Sequence, residues 1–297
     1  MTTAISTTPL RLAAVAAIRA LAMALLAAAL FLPAASRAAD RARIEAFLKT
    51  TGFDVALDSI ALSAGDAPRL LGIDAGAFGS EWTRLTKEVF DTARMRGMAL
   101  DILEKTLDPD DLAHAVEFYA SDLGQRLVAA ENDSHMIEDD EAKQEEGRRL
   151  VAEMVRTGSG RLELLKRMNK AIDSTGSSVR AIQEIQYRFM LAASAAGVID
   201  LKVDPDELRA MLLRDEPRLR TALQESALAG AAYTYRDFSD ADLEAYAEAL
   251  EDPAMQRVYA LLNAVQYEIM ANRFEALATR MATPAAWTGH LRGRRRA

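Results

Sequence analysis

Beyond residue 40 the apolar positions recur at intervals of three and four, and alternating strand-like runs bounded by turn residues are scarce. Leu112, Ala115, Val116, Tyr119 and Leu123 fall at offsets 0, 3, 4, 7 and 11, and Leu243, Tyr246, Ala247, Leu250 and Ala254 repeat those offsets. Such spacing puts each set on one face of a helix. Val258, Leu262, Val265 and Ile269 extend the stripe along the last long segment. The pattern predicts an all-α fold with helices near 41–50, 54–64, 81–106, 109–122, 125–157, 161–173, 177–195, 205–213, 217–236, 240–251 and 254–281.

Three related phrases punctuate this pattern: "LDPDDL" at 107–112, "VDPDEL" at 203–208 and "FSDADL" at 238–243. Each reads as a helix start. A helix opens with backbone N–H groups that have no intrahelical acceptor, and Asp108, Asp204 and Ser239 can accept from them. Pro109 and Pro205 then occupy the first helical position, where a missing N–H costs nothing. Asp111, Glu207 and Asp242 stand three residues after the cap, placed to reach back to its N–H and to face the positive helix end. A calcium loop counted from Asp108 would need glycine and glutamate where Ala113 and Tyr119 stand, so calcium is not expected.

An offset of 131 residues aligns two parts of the chain. Lys105 meets Arg236, Asp111 meets Asp242, Leu112 meets Leu243, Glu117 meets Glu248, "QRL" at 125–127 meets "QRV" at 256–258, and "IALSA" at 60–64 meets "LAASA" at 191–195. Two separated blocks at one spacing suggest duplication. The expected organisation is a signal peptide (1–38), a first helical half (39–172) and a second, related half (173–297) with a basic tail, together forming a helical bundle.

The N-terminus sets the compartment. Arg11 and Arg19 precede an uncharged apolar run from Ala20 to Leu32, followed by Pro33 and small residues. This has the form of a secretory signal peptide, too short to span a bilayer, with cleavage expected after Ala38. Cleavage changes the formal charge from −8 to −11, because it removes three arginines (36 − 3 = 33 basic residues) and none of the 44 acidic ones. Such a balance argues against a nucleic-acid partner. With no cysteine, packing alone must hold an exported fold.

Candidate chemistry is sparse. Asp110, His114, Glu117 and Ser121 share the polar side of one helix and could in principle hold a metal or move protons. The corresponding positions at the 131-residue offset are Ala241, Ala245, Glu248 and Asp252, so the histidine is not repeated. "EDDEAKQEEGRR" at 138–149 reads as a solvated helix face with Asp139–Lys143 and Glu145–Arg149 pairs. "TGSGR" at 157–161 reads as a helix end and turn, and "LRGRRRA" as a solvated tail. His135 and His290 have no metal-ligand spacing. Tyr233, Tyr235, Phe238, Tyr246, Tyr259 and Tyr267 crowd the second half; most are expected in helix contacts, with a ligand groove as the alternative. No catalytic, cofactor-binding or metal-ligating residue is assigned, and no cofactor is expected.

"LDPDDLAHAVEFYASDLGQRL" resembles the bacterial envelope family known as domain of unknown function 2059. The resemblance rests on an acidic helix start, the aromatic pair Phe118 and Tyr119, then Ser121 and Gly124; Asp122 stands where the family commonly has proline. A second, degenerate copy keeps Pro253 but has Ala249, Leu250 and Met255 in place of the aromatic pair and the glycine. The resemblance implies a secreted, helical, periplasmic protein and brings no catalytic residues. The expected function is therefore a non-enzymatic interaction or ligand-holding module in the periplasm, its partner an envelope protein or a small apolar ligand, with no membrane span after signal cleavage. The alternatives are a metal-dependent hydrolase using Asp110, His114 and Glu117, and an apolar-ligand or lipid carrier with a cavity of about 300 Å³ or more. The oligomeric state is not specified by the sequence.

Overall fold

The computed structural model describes residues 40–66 and 79–281. The signal peptide, its cleavage site, His290 and the basic tail lie outside the described residues. Contacts divide the chain between Ala46 and Phe47. Of the first unit, residues 40–46 are described and are helical. The architecture below is that of the second unit.

After a helical stretch ending at residue 50 come twelve helices and no strand among the described residues. They are α1 (Phe53–Ser63), α2 (Gly79–Val89), α3 (Thr92–Thr106), α4 (Pro109–Tyr119), α5 (Asp122–His135), α6 (Asp140–Thr157), α7 (Arg161–Ile172), α8 (Ser177–Ala195), α9 (Pro205–Arg214), α10 (Glu216–Thr234), α11 (Asp240–Glu251) and α12 (Pro253–Met281). A short 3-10 turn, Ala64–Asp66, follows α1. The all-α reading of the periodicity holds.

Two helices organise the packing. The long α12 lies against α8, α4, α3, α2, α11 and α7. The predicted stripe Val258, Leu262, Val265 and Ile269 is buried, and Ala271, Phe274 and Leu277 are buried as well, as a helix with neighbours on several sides requires. Phe274 meets Phe90 and Phe189 edge-on, each at 5.3 Å between ring centres. Helix α10 is the second hub and packs chiefly on α6 and α7. Its closest approach is at Gly147 of α6, where an added Cβ would lie 2.1 Å from the Ala229 carbonyl oxygen.

The three recurrent phrases are helix starts. Asp108 accepts from the N–H groups of Asp110 (2.8 Å) and Asp111 (3.3 Å), Asp204 from Glu207 (2.8 Å), and Ser239 from Asp242 (3.1 Å). Only Asp242 completes the reciprocal cap by accepting from the Ser239 N–H. Asp111 instead takes a bidentate contact from Arg257, at 2.6 and 3.0 Å. Helix α7 begins where "TGSGR" ends: Gly158 closes α6 in the left-handed region (φ 64°), and the Ser159 N–H reaches back to Met154 at 2.9 Å.

Two predicted helices are each divided. The stretch 81–106 breaks before Thr92, where Asp91 caps α3 by accepting from Arg94 N–H at 2.8 Å. The stretch 125–157 breaks after His135, and Asp139 caps α6 through Ala142 N–H at 3.0 Å. An aspartate serves equally as a helix-surface residue or as a cap, so the spacing of apolar positions carries no mark of either break. The expected Asp139–Lys143 and Glu145–Arg149 pairs are replaced by Asp140–Lys143 at 2.6 Å and Glu146–Arg149 at 2.6 Å.

Reciprocal ion pairs join α4–α5 to α11–α12. Arg126 pairs with Asp242 at 2.7 Å, and Arg257 pairs with Asp111 at 2.6 Å. The two arginines are separated by 257 − 126 = 131 residues and the two aspartates by 242 − 111 = 131. The Arg126 guanidinium, followed by the Ser239 hydroxyl, holds the Asp242 carboxyl down at about 2. The stabilisation from that shift is present above the ordinary carboxylate value and is lost as pH falls through the folded value. Asp111 is only 8 % exposed. Asp111→Asn is therefore expected to lower the urea midpoint more than Asp242→Asn, because the Asp111 carboxylate is the more buried of the two acceptors and solvent screens its ion pair less. Equal shifts would contradict that ranking.

Candidate functional site

Residues far apart in the chain converge where α4, α5, α10, α11 and α12 meet. Tyr119 ends α4, Glu131 lies in α5, Tyr235 follows α10, Tyr246 is central in α11, and Tyr259 is in the second turn of α12. The Tyr235 and Tyr246 hydroxyls both donate to Glu131 Oε1, at 2.6 and 2.8 Å. Tyr246 Oη lies 3.1 Å from Tyr119 Oη and 3.0 Å from Tyr259 Oη, and the Tyr119 and Tyr259 hydroxyls also touch. Each hydroxyl has one hydrogen. Since Tyr246 gives its hydrogen to the carboxylate, those neighbours donate toward Tyr246 or toward each other. All four phenols thus belong to one network that terminates on a single oxygen.

Local sequence explains the geometry. Ser121 caps α5 by accepting from Gly124 N–H at 3.1 Å, turning the chain sharply after Tyr119. Helix α5 then lies so close to the end of α4 that a Cβ at Gly124 would sit 2.4 Å from the Phe118 carbonyl oxygen and 2.6 Å from Tyr119 Cα. The serine and glycine of the aromatic motif serve this contact. Phe118 stacks on Tyr246, with ring centres 5.7 Å apart and planes 6° from parallel. Arg161 secures the other side by donating to the carbonyls of Tyr235 and of Phe238, the latter at 2.8 Å.

No cation pairs with Glu131 among the described residues. Oε2 has no protein donor among them either. Burial pushes the Glu131 carboxyl above the ordinary value, opposed by the hydrogen bonds from Tyr235 and then Tyr246. Burial is also the main cause of raised pKa values at Tyr119, Tyr235, Tyr246 and Tyr259. For an acid with a raised folded pKa, its contribution to stability is complete below the unfolded value and lost as pH rises through the folded value. Glu131→Gln keeps the acceptor and removes the charge. In the ligand-free protein it is expected to be more stable than wild type, with an advantage in urea titrations that grows as pH rises above the ordinary carboxylate value. A pH-independent difference would contradict a raised Glu131.

Glu131 retains accessible surface because it faces a partly open cavity of about 420 Å³. Tyr119, Tyr235 and Tyr259 line it from one set of helices, and Asn132, His135, Lys143, Gln144 and Asn169 from others. Asn132 Oδ1 and Gln144 Oε1 are buried without a hydrogen-bond partner among the described residues. Leaving such a group unpaired costs about 1–3 kcal/mol. The Lys143 ammonium is occupied by Asp140, at 2.6 Å. Burial of its ring, followed by the Lys143 charge, holds the His135 imidazole below its ordinary value, although the residue keeps exposed surface.

The candidate residues read from sequence are dispersed. Asp110 and Glu117 are exposed, Ser121 is a helix cap, and His114 Nε2 meets Asp252 Oδ1 at 3.2 Å. No group of three or more His, Cys, Asp or Glu placed to hold a metal occurs among the described residues. Of the crowded tyrosines, Tyr235, Tyr246 and Tyr259 join the network, whereas Tyr233 lies against the Arg236 guanidinium, 4.1 Å from its ring centre. The cavity has the size expected of an apolar carrier, but its wall carries a carboxylate, phenols and amides. Glu131 escaped notice, yet a signal existed. Gly124, Leu127, Val128 and Glu131 stand at offsets 0, 3, 4 and 7, so a carboxylate interrupts a buried stripe.

A family model described as "Uncharacterized protein conserved in bacteria (DUF2059)" matches residues 93–153. That segment supports the resemblance drawn from the aromatic motif and contains Tyr119, Glu131, Lys143 and Gln144, but not the tyrosines of α11 and α12. Comparison with curated proteins and with solved structures found no match. No helix among the described residues is long and apolar enough to cross a membrane.

Proposed function

We propose that this is an exported, non-enzymatic protein of the bacterial envelope that holds a small polar molecule in the cavity between α5, α6, α7, α10 and α12. One observation carries the reading: a partly open cavity of about 420 Å³ has an unpaired carboxylate in its wall, oriented by two phenols. Concave sites of about 300–1,000 Å³ with a few convergent polar groups and perturbed titratable residues are characteristic of ligand binding. The N-terminal charged and apolar run supports export to the periplasm, and an exported binding protein needs no membrane span of its own. The reciprocal Arg126–Asp242 and Arg257–Asp111 pairs support an origin by duplication, with the second copy having exchanged the aromatic pair for Tyr246 and Tyr259 at other positions.

Native mass spectrometry of protein isolated from its own envelope fraction tests this. The expected spectrum contains a stoichiometric small organic adduct. Gly230→Leu should abolish it while leaving the helical circular dichroism spectrum unchanged. Gly230 lines the cavity, and the nearest atom to an added Cβ there is Gln144 Nε2 at 3.8 Å, so a larger side chain enters open space. A bare polypeptide mass, or an adduct that persists in Gly230→Leu, would overturn the reading.

A further inference from the structure

The charges around the cavity discriminate among polar ligands, and this inference rests on the ligand-holding reading above. Among the described residues Glu131 is the only carboxylate on the wall, and no lysine, arginine or histidine neutralises it. A carboxylate surrounded by protein and lacking a counter-ion is a costly arrangement that a bound cation relieves. Its Oε1 is saturated by Tyr235 and Tyr246, which leaves Oε2 as the acceptor for an incoming donor. Lys143, the lysine on the wall, is compensated by Asp140 and donates weakly to the Ser134 carbonyl at 3.4 Å, so it neither neutralises Glu131 nor offers an anion a free site.

The remaining wall suits the same chemistry. Tyr119, Tyr235 and Tyr259 line the same cavity as the carboxylate, and aromatic rings attract organic cations. Asn132 and Gln144 contribute amides whose oxygens have no donor among the described residues. A half-turn about the terminal bond exchanges oxygen and nitrogen, so each amide can turn an acceptor toward an ammonium group. A metal ion fits less well, because no second carboxylate, cysteine or metal-ligating cluster joins Glu131 among the described residues.

We infer that the cavity takes a small organic cation bearing a primary ammonium group, which donates to Glu131 Oε2 within the surrounding tyrosines. The test is calorimetric titration of the full-length mature protein with three probes of similar size: 2-phenylethylammonium, 2-phenylethanol and 3-phenylpropionate. The ammonium is expected to bind at least about tenfold more tightly than the alcohol, the carboxylate not at all. Glu131→Gln, shown to be folded by circular dichroism, is expected to weaken the ammonium about tenfold or more and leave the alcohol unchanged, whereas Gly230→Leu removes both.

Equal or tighter binding of the alcohol or the carboxylate, or ammonium binding indifferent to Glu131→Gln, would overturn the cation assignment. If none of the probes binds while the envelope-derived protein carries a neutral or anionic molecule, the ligand-holding function stands and the cation assignment falls. If none binds and the envelope-derived protein is bare, both fall.

Discussion

Gly147→Ala is expected to destabilise the folded protein by at least about 2 kcal/mol, although alanine is the better helix former by about 1 kcal/mol. The new Cβ would lie 2.1 Å from the Ala229 carbonyl oxygen, 2.6 Å from its carbonyl carbon and 3.0 Å from its Cα. These are backbone atoms of α10 and cannot rotate away, so α6 and α10 must separate. Inserting a methyl group into a tight contact costs about 1–3 kcal/mol, and collision with backbone puts this case at the upper end. The neighbouring Gly230→Ala provides the control. Its Cβ has only an ordinary contact, so the same exchange is expected to stabilise by about 0.5–1 kcal/mol. Urea unfolding of the two variants should give shifts of opposite sign; two stabilising shifts would show that the α6–α10 contact is looser than described.

Tyr246→Ala is expected to cost about 3–5 kcal/mol, the range for deleting a large buried aromatic side chain. Tyr246 has no exposed surface and is packed by Phe118, Tyr119 and Tyr235. Its hydroxyl also joins Tyr119 and Tyr259 to Glu131, so removal breaks the network at its centre. Tyr246→Phe separates the two contributions. It keeps the ring and is expected to cost about 1–2 kcal/mol from the hydrogen bonds alone. Against a typical total stability of about 5–15 kcal/mol, the alanine variant should sit near the edge of folding. Equal costs for Phe and Ala would mean that packing around the ring contributes little.

What could be read from sequence follows the range of the interaction. Helix periodicity and caps are local, so Asp108, Asp204 and Ser239 were identifiable as helix starts, and Val258, Leu262, Val265 and Ile269 as a buried stripe. Gly147 was hidden because it stands among charged residues that do face solvent, while its own position meets α10. The tyrosine–glutamate network joins residues more than 100 positions apart, and no spacing rule brings Glu131 to Tyr235 or Tyr246. The 131-residue offset aligned Asp111 with Asp242 and Arg126 with Arg257, but not the crossed way in which these four side chains pair. Burial created the site, and burial is the property that a linear pattern reveals least when a polar residue occupies an apolar stripe.

A crystal structure of protein purified from its own envelope fraction would test the ligand site most directly. The expected map shows a small organic molecule in the cavity, within hydrogen-bond distance of Glu131 Oε2 and walled by Tyr119, Tyr235 and Tyr259. Water alone in that space, both in this crystal and after soaking with 2-phenylethylammonium, would contradict the proposal that the cavity holds a ligand.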